Sequence, residues 1–203
     1  MNKTRIDWPW KPLYTWNPVV GCKHGCSYCY AEKISNRLKM IPKWEEPKFF
    51  RDRLGEPKKH KKHRNIFVGS MCDLFGNWVP RDWIDSVILT AHYNQQHTFI
   101  FLTKNPKRYS EFSFPKNCWL GCTITCIDDI EGRQHYNYIK LKNNKFISME
   151  PLLGHFKDYD FNGVDMVIIG AMTGPGAALP KREWIESIKH PNIHYKNNIR
   201  KYL

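Results

Sequence analysis

Apolar residues come in short, recurring runs along this chain. "LYTWNPVV" (13–20), "NIFVGSM" (65–71), "TFIFLT" (98–103), "CWLGCTIT" (118–125), "KFISME" (145–150) and "DMVIIGAM" (165–172) are rich in β-branched or aromatic residues. Each ends in small or polar residues. Several are apolar nearly throughout, the pattern of strands buried on both faces. Between them the period changes. "YAEKISNRLKM" (30–40), "PRDWIDSVILTAHYN" (80–94), "IDDIEGRQHYNYIKLK" (127–142) and "PKREWIESIKH" (180–190) read as helices. The second opens on Pro80, with Asp82 in its first turn, and repeats Trp83, Val87 and Ala91 every four residues. Gly132 weakens the third.

Strands alternating with helices predict βαβ units and a parallel sheet. Right-handed crossovers roll such a sheet into an open doubly wound form or a barrel. Six strands in 203 residues are too few for an eightfold barrel of ~250 residues and suit a partial barrel, (βα)6, of α/β class. The chain reads as one domain over 1–203, with a long basic insertion at about 42–64 and a short C-terminal extension at about 191–203. In either topology functional groups gather beyond the carboxyl ends of the strands. The first cysteine sits at such an end.

Charge adds a partner class. Thirty-two Lys and Arg against nineteen Asp and Glu give a formal +13 and a pI near 9.4. A field of that sign attracts polyanions, nucleic acid first. The plain alternative is compositional drift in a chain rich in Lys, Asn and Ile. "PKKHKKHR" (57–64), with Lys39, Lys43, Lys48, Arg51 and Arg53, is interleaved with Trp44, Phe49 and Phe50. Cations for phosphates and aromatics for stacking suit nucleic acid; a disordered, solvated loop is the other reading. The aromatics of "DWPW" (7–10) suit packing on the barrel bottom. No apolar run approaches the ~20 residues of a membrane span, and the N-terminus lacks a secretory h-region. A cytoplasmic protein is expected.

Seven cysteines are an odd number, and without an export signal they point to metal or redox chemistry rather than a disulfide framework. Three fall in "GCKHGCSYCYAE" (21–32), as Cys22, Cys26 and Cys29. A structural zinc needs four ligands, usually as two spaced pairs. Here His24 would have to fold back to be the fourth. An iron–sulfur cubane takes Cys thiolates, and three of them leave one iron without a protein ligand, open to a substrate.

The C-x3-C-x2-C spacing, with an aromatic Tyr28 before the last cysteine, resembles the signature of the radical S-adenosylmethionine (SAM) enzymes. The motifs "TWNPVVGCKHGCSYCYAEK", "VGSMCDLFGNWVP", "FLTKNPKR", "CWLGCTIT", "ISMEPLLG" and "VIIGAMTGPGA" resemble a phage- and prokaryote-associated branch related to spore photoproduct lyases. The resemblance implies a partial (βα)6 barrel with a [4Fe–4S] cluster on Cys22, Cys26 and Cys29. It implies S-adenosyl-L-methionine bound at the open iron and cleaved reductively to methionine and a 5′-deoxyadenosyl radical. It also implies a flavodoxin- or ferredoxin-type reductant.

The same resemblance assigns roles at the strand ends. Gly69, Ser70 and Met71 would meet the SAM amino group, and Thr123 and Thr125 the ribose, unless the two threonines are β-branched strand filler. Gly170, Ala171 and Met172 would lie by the adenine; they stand where the family pattern has a glycine pair and a Glu, so a carboxylate role there is lost or moved. Asp73 is either an acceptor for SAM or substrate or a cap for the next turn. Glu150 closes an apolar strand, so its carboxylate must be paired or solvated; SAM offers an ammonium and hydroxyls, and a structural ion pair is the alternative. Lys104 is a candidate for a substrate phosphate or carboxylate, with a solvated loop lysine as the alternative. Cys118, Cys122 and Cys126 are four residues apart, ~13 Å per step in a strand, too far to share one cluster, and read as small buried apolar residues. Cys72 and Cys126 lie near strand ends, where a thiol could return a hydrogen atom to a product radical. The reaction expected is modification or repair of a nucleic-acid base, with DNA favoured. Its rivals are a radical SAM enzyme acting on a small molecule or peptide, and a zinc-stabilised nucleic-acid-binding module without catalysis.

Overall fold

The computed structural model describes residues 1–127 and 140–203. In chain order the strands are β1 (Asn2–Lys3), β2 (Leu13–Trp16), β3 (Val19–Val20), β4 (Lys48–Phe49), β5 (Asn65–Val68), β6 (Thr98–Thr103), β7 (Cys118–Thr123), β8 (Asn144–Met149), β9 (Met166–Ile169) and β10 (Ile193–Tyr195). The helices are α1 (Tyr30–Leu38), α2 (Arg81–Tyr93) and the short α3 (Arg182–Glu186). The helix expected over 127–142 lies almost wholly outside the described residues. Among those described, no helix is long and apolar enough to cross a membrane.

One sheet carries the order β1-β2-β5-β6-β7-β8-β9-β10, with β1 antiparallel and every other pairing parallel. The strands lie side by side in chain order without reversal. A doubly wound sheet reverses at a switch point; uninterrupted order with crossovers of one hand rolls the sheet toward a barrel. The result is an α/β fold of the partial-barrel kind. All six expected strands form. The seventh parallel strand, β10, comes from the stretch read as a C-terminal extension.

Both faces of this sheet are covered. Ile66, Val68, Phe99, Phe101, Leu120, Ile147, Val167 and Ile169 point outward into the main core, where Ile84, Val87, Ile88 and Ala91 of α2 meet them. Trp83, the first residue of the expected four-residue repeat, is only half-buried and stacks on Phe49 instead, 5.2 Å between centroids. The alternate residues Leu13, Phe67, Ile100, Phe146 and Ile168 point inward and form a second core with Trp8. Full burial of each such side chain is worth roughly 1.5–3 kcal/mol.

Strands alone do not fill the interior. Trp8 packs 4.5 Å from Phe67, and Trp10 lies 5.1 Å from Phe146 and 5.2 Å from Trp119. The N-terminal "DWPW" therefore plugs the barrel, as its aromatics lead one to expect. Asp7 holds the plug to the last strand. Its carboxylate accepts from the Asn197 amide at 2.7 Å and its carbonyl meets His194 Nε2 at 3.1 Å.

Gly121 shows how tight the interior is. A Cβ there would sit 2.2 Å from the Phe146 ring. Gly121→Val should therefore lower stability by roughly 1–3 kcal/mol, the usual cost of overpacking. Urea denaturation checks this, and adding Phe146→Leu should recover part of the loss. An unchanged midpoint for the single variant would contradict the packing described.

Candidate functional site

The inward-facing row changes character along each strand. Trp119, Gly121 and Thr123 follow one another on β7; Phe146, Ser148 and Glu150 do so along β8; Ile100, Leu102 and Lys104 along β6. Period-two alternation keeps each set on one face, so apolar residues fill the barrel and polar ones ring its carboxyl end. There they line a cavity of about 460 Å³, shared with Cys22, Cys26, Cys29, Tyr28, Cys72, Asp73 and the loop from Ala171 to Pro175. Trp8 and Phe67 form part of its apolar wall.

The cysteine loop leaves β3 through Gly21, whose φ of +110° and whose contacts exclude a side chain: a Cβ would lie 2.8 Å from Trp44 O and Pro47 Cα. Gly21 N–H donates to Met71 O and Cys22 N–H to Trp44 O, each at 3.0 Å. Cys29 caps α1, its Sγ accepting from Glu32 N–H at 3.4 Å. Cys22 and Cys29 lean on a small apolar cluster of Val20, Ala31, Ile41, Trp44 and Met71. Burial pushes the Cys22 thiol up to about 11, raises that of Cys29, and lifts Cys72 well above the ordinary thiol range. Among the described residues, no three His, Cys, Asp or Glu side chains converge on one ion-sized point. The three cysteines line one cavity without crowding a common centre.

His24 ties this loop to the barrel. Its Nε2 lies 2.7 Å from Asp73 Oδ2, and its ring meets the Trp78 edge at 4.8 Å. Asp73 is buried and fully engaged. Oδ1 accepts from Thr103 Oγ1 at 2.6 Å and from Phe75 N–H at 3.1 Å; Oδ2 also accepts from Lys104 N–H at 2.9 Å. One carboxylate thus joins the cysteine loop, the turn after β5 and the end of β6. Of the two readings offered by the sequence, the turn cap is observed, within a wider clamp.

A second junction crosses β9. Glu150 follows β8 and Lys196 follows β10, and their side chains form an ion pair. Gly170 lies between them; a Cβ there would come 2.9 Å from Lys196 Cδ and 3.2 Å from Glu150 Cδ. Both charged groups also line the cavity. Lys104 Nζ donates to Tyr28 OH at 2.9 Å. Ser70 Oγ and Met71 N–H both donate to Asn17 Oδ1 at 3.1 Å, and Tyr30 OH donates to Ser70 O at 2.9 Å.

The cavity thus gathers Cys22, Cys26, Cys29, Tyr28, Gly69, Ser70, Cys72, Asp73, Lys104, Thr123, Glu150, Ala171 and Met172. It does not gather every expected residue. Met71 turns its side chain into the small apolar cluster under the loop. Gly170 makes room for the ion pair rather than lining the wall. Thr125 is buried off the cavity, its carbonyl accepting from Leu153 N–H at 2.8 Å, and Cys126 packs against Gly154. Cys118 and Cys122 face the outer core, where burial lifts the Cys118 thiol to about 12. His24 as a clamp, Asn17, Ser148 and Lys196 were missed. Ser148 was legible as the middle member of the Phe146–Ser148–Glu150 alternation. Lys196 was hidden because β10 is only three residues long.

Removing the clamp should be costly. Asp73→Ala leaves the Thr103 hydroxyl and two backbone N–H groups without their acceptor, and should destabilise the protein by about 3 kcal/mol. Asp73→Asn keeps one acceptor oxygen and should cost roughly half as much. Equilibrium denaturation measures both; equal stability of Asp73→Ala and the parent would remove the clamp from the account.

Neither the curated proteins nor the solved structures contain a match to this chain. A family profile described as "Protein of unknown function (DUF5131)" matches residues 3–196. With nearly its whole length matched, the chain belongs to the DUF5131 family.

Proposed function

We propose that the protein is a radical SAM enzyme acting on a nucleic-acid base, with DNA favoured. The observation that carries this reading is the position of the C-x3-C-x2-C loop. Its three cysteines share one cavity at the carboxyl end of a parallel partial barrel with the polar ring of the strand ends. The donor set fits an iron–sulfur cluster better than a single zinc. A structural zinc needs four ligands, whereas three thiolates suffice for a cubane with one iron left open.

Cys22, Cys26 and Cys29 would hold a [4Fe–4S] cluster, which when bound supplies the electron that cleaves S-adenosylmethionine to methionine and a 5′-deoxyadenosyl radical. The rest is the work of side chains. The cavity volume of about 460 Å³ lies in the ~300–1,000 Å³ range of small-molecule sites. Glu150, held by Lys196, presents a carboxylate to an ammonium or a ribose hydroxyl. Thr123 and Ser148 add hydroxyls. Trp8, Phe67 and Leu102 keep the floor dry, and Asp73 through His24 holds the cysteine loop against the strand ends. A flavodoxin- or ferredoxin-type protein is the expected electron source. The nucleic-acid substrate rests on the +13 charge.

Protein purified without oxygen should be brown and carry about four irons and four sulfides per chain. With dithionite and SAM it should release 5′-deoxyadenosine. Cys26→Ala should lose the iron and the product together. A colourless protein with one zinc would overturn the enzyme reading in favour of a zinc-stabilised binding module.

Glu150→Gln tests the SAM contact separately. It should keep the iron content and raise the KM for SAM about 10–100-fold, the loss of one charged hydrogen bond. An unchanged KM would leave Glu150 a structural partner of Lys196 alone.

A further inference from the structure

The basic stretch 57–64 lies at the end of the barrel opposite the cavity. It leads into Asn65, the first residue of β5, and packs beside Gln96 and His97, which lead into β6. The cavity lies past the other ends of those parallel strands.

The stretch is also held in place. Pro57 is buried and its carbonyl meets His97 Nε2 at 3.1 Å. Gln96 Nε2 donates to His60 O at 3.4 Å, and His63 Nδ1 lies 2.9 Å from Gln96 O. Arg64 N–H donates to His97 Nδ1 at 3.2 Å, and Thr98 N–H donates to Arg64 O at 3.0 Å. His97 is buried, so it serves as a fixed post with one ring nitrogen accepting and the other donating. From this anchored backbone Lys58, Lys59, Lys61 and Lys62 project into solvent. None of the ion pairs among the described residues uses any of the four. The nearest acidic residue in sequence, Glu56, pairs with the N-terminal ammonium. Four unneutralised ammoniums on a preset backbone bind a phosphate chain without first paying to order a loop.

We propose that residues 57–64 form a phosphate-binding platform that holds a nucleic-acid strand remote from the cavity. The strand would run up the flank past the exposed Arg51 and Lys48 toward the cysteine loop. This rests on the nucleic-acid part of the proposed function. A six-residue strand such as β6 spans about 20 Å at ~3.3 Å per residue. At the ~3.4 Å per nucleotide of a strand in stacked, duplex-like geometry this is about six nucleotides. Only a longer strand can occupy platform and cavity together.

The test compares the parent with a full-length variant combining Lys58→Gln, Lys59→Gln, Lys61→Gln and Lys62→Gln. Binding to single-stranded DNA of about 20 and about three nucleotides is followed by fluorescence anisotropy across a salt series. For the long strand, affinity should fall more than tenfold at low salt, and the log–log salt slope should shrink by about 3, at ~0.7 per lost phosphate contact. The short strand, which reaches fewer of the four ammoniums, should lose less; iron content and SAM cleavage should stay at parent values, and a thermal melt should match. Long-strand binding with parent affinity and slope would overturn the platform while leaving the nucleic-acid reading in place. Equal losses for both lengths would also overturn it. A parent that binds neither strand at low salt would overturn the platform and the nucleic-acid substrate together, with SAM cleavage still judged on its own.

Discussion

The inner face of the sheet can be covered only by itself. Curling seven parallel strands brings their inward side chains together across a space too narrow for a helix. Every second residue of β5 to β9 must therefore fit its neighbours across the barrel. Phe67, Ile100, Phe146 and Ile168 fill the middle, and Gly121 is small because Phe146 occupies its place. The lower opening remains, and Trp8 and Trp10 close it from a segment outside the barrel strands, with Asp7 joined to the last strand. The same alternation, continued upward, produces the polar ring.

That ring is held by two carboxylates in different ways. Asp73 spends both oxygens on the cysteine loop, a turn and the end of β6. It braces the site from within the cavity wall. Among the described residues Glu150 pairs with Lys196, reached over Gly170, and keeps its place on the cavity wall. A saturated buried carboxylate makes geometry rigid; a partly paired one at a wall can still exchange a partner for a ligand. The two acidic residues thus differ: one is a clamp across three segments, the other half of an ion pair on the wall.

The positive charge is likewise divided by position. Lys104 and Lys196 belong to the cavity, whereas the lysines of 57–64 sit a barrel length away. The aromatics interleaved with the upstream cations are engaged in packing. Trp44 is buried, Phe49 stacks on Trp83, and Phe50 carries the Arg53 guanidinium 3.9 Å from its ring centre. The stacking role that composition suggests for them gives way to a simpler one. They fasten the connection to the barrel wall.

Much of this was legible in the sequence because local rules generate it. Short apolar runs of period two set six strands, and their alternation with helices set the parallel sheet. The cysteine spacing and the carboxyl-end rule set where the site would be. The limits were equally physical. "NIHY" is too short and polar to announce a strand, yet β9 offers it a paired edge, so Lys196 enters the site. Thr125 and Cys126 lie beyond the last ladder residue of β7, where alternation no longer dictates direction, and the chain turns them away from the cavity. Sequence by itself determined which residues alternate and how the three cysteines are spaced, because both depend on neighbours in the chain. Only tertiary structure decided that His24 meets Asp73, that Glu150 meets Lys196 across a glycine, and that the basic stretch faces away from the cysteines. Those contacts join residues 46 or more positions apart, and nothing local along the chain encodes such distances.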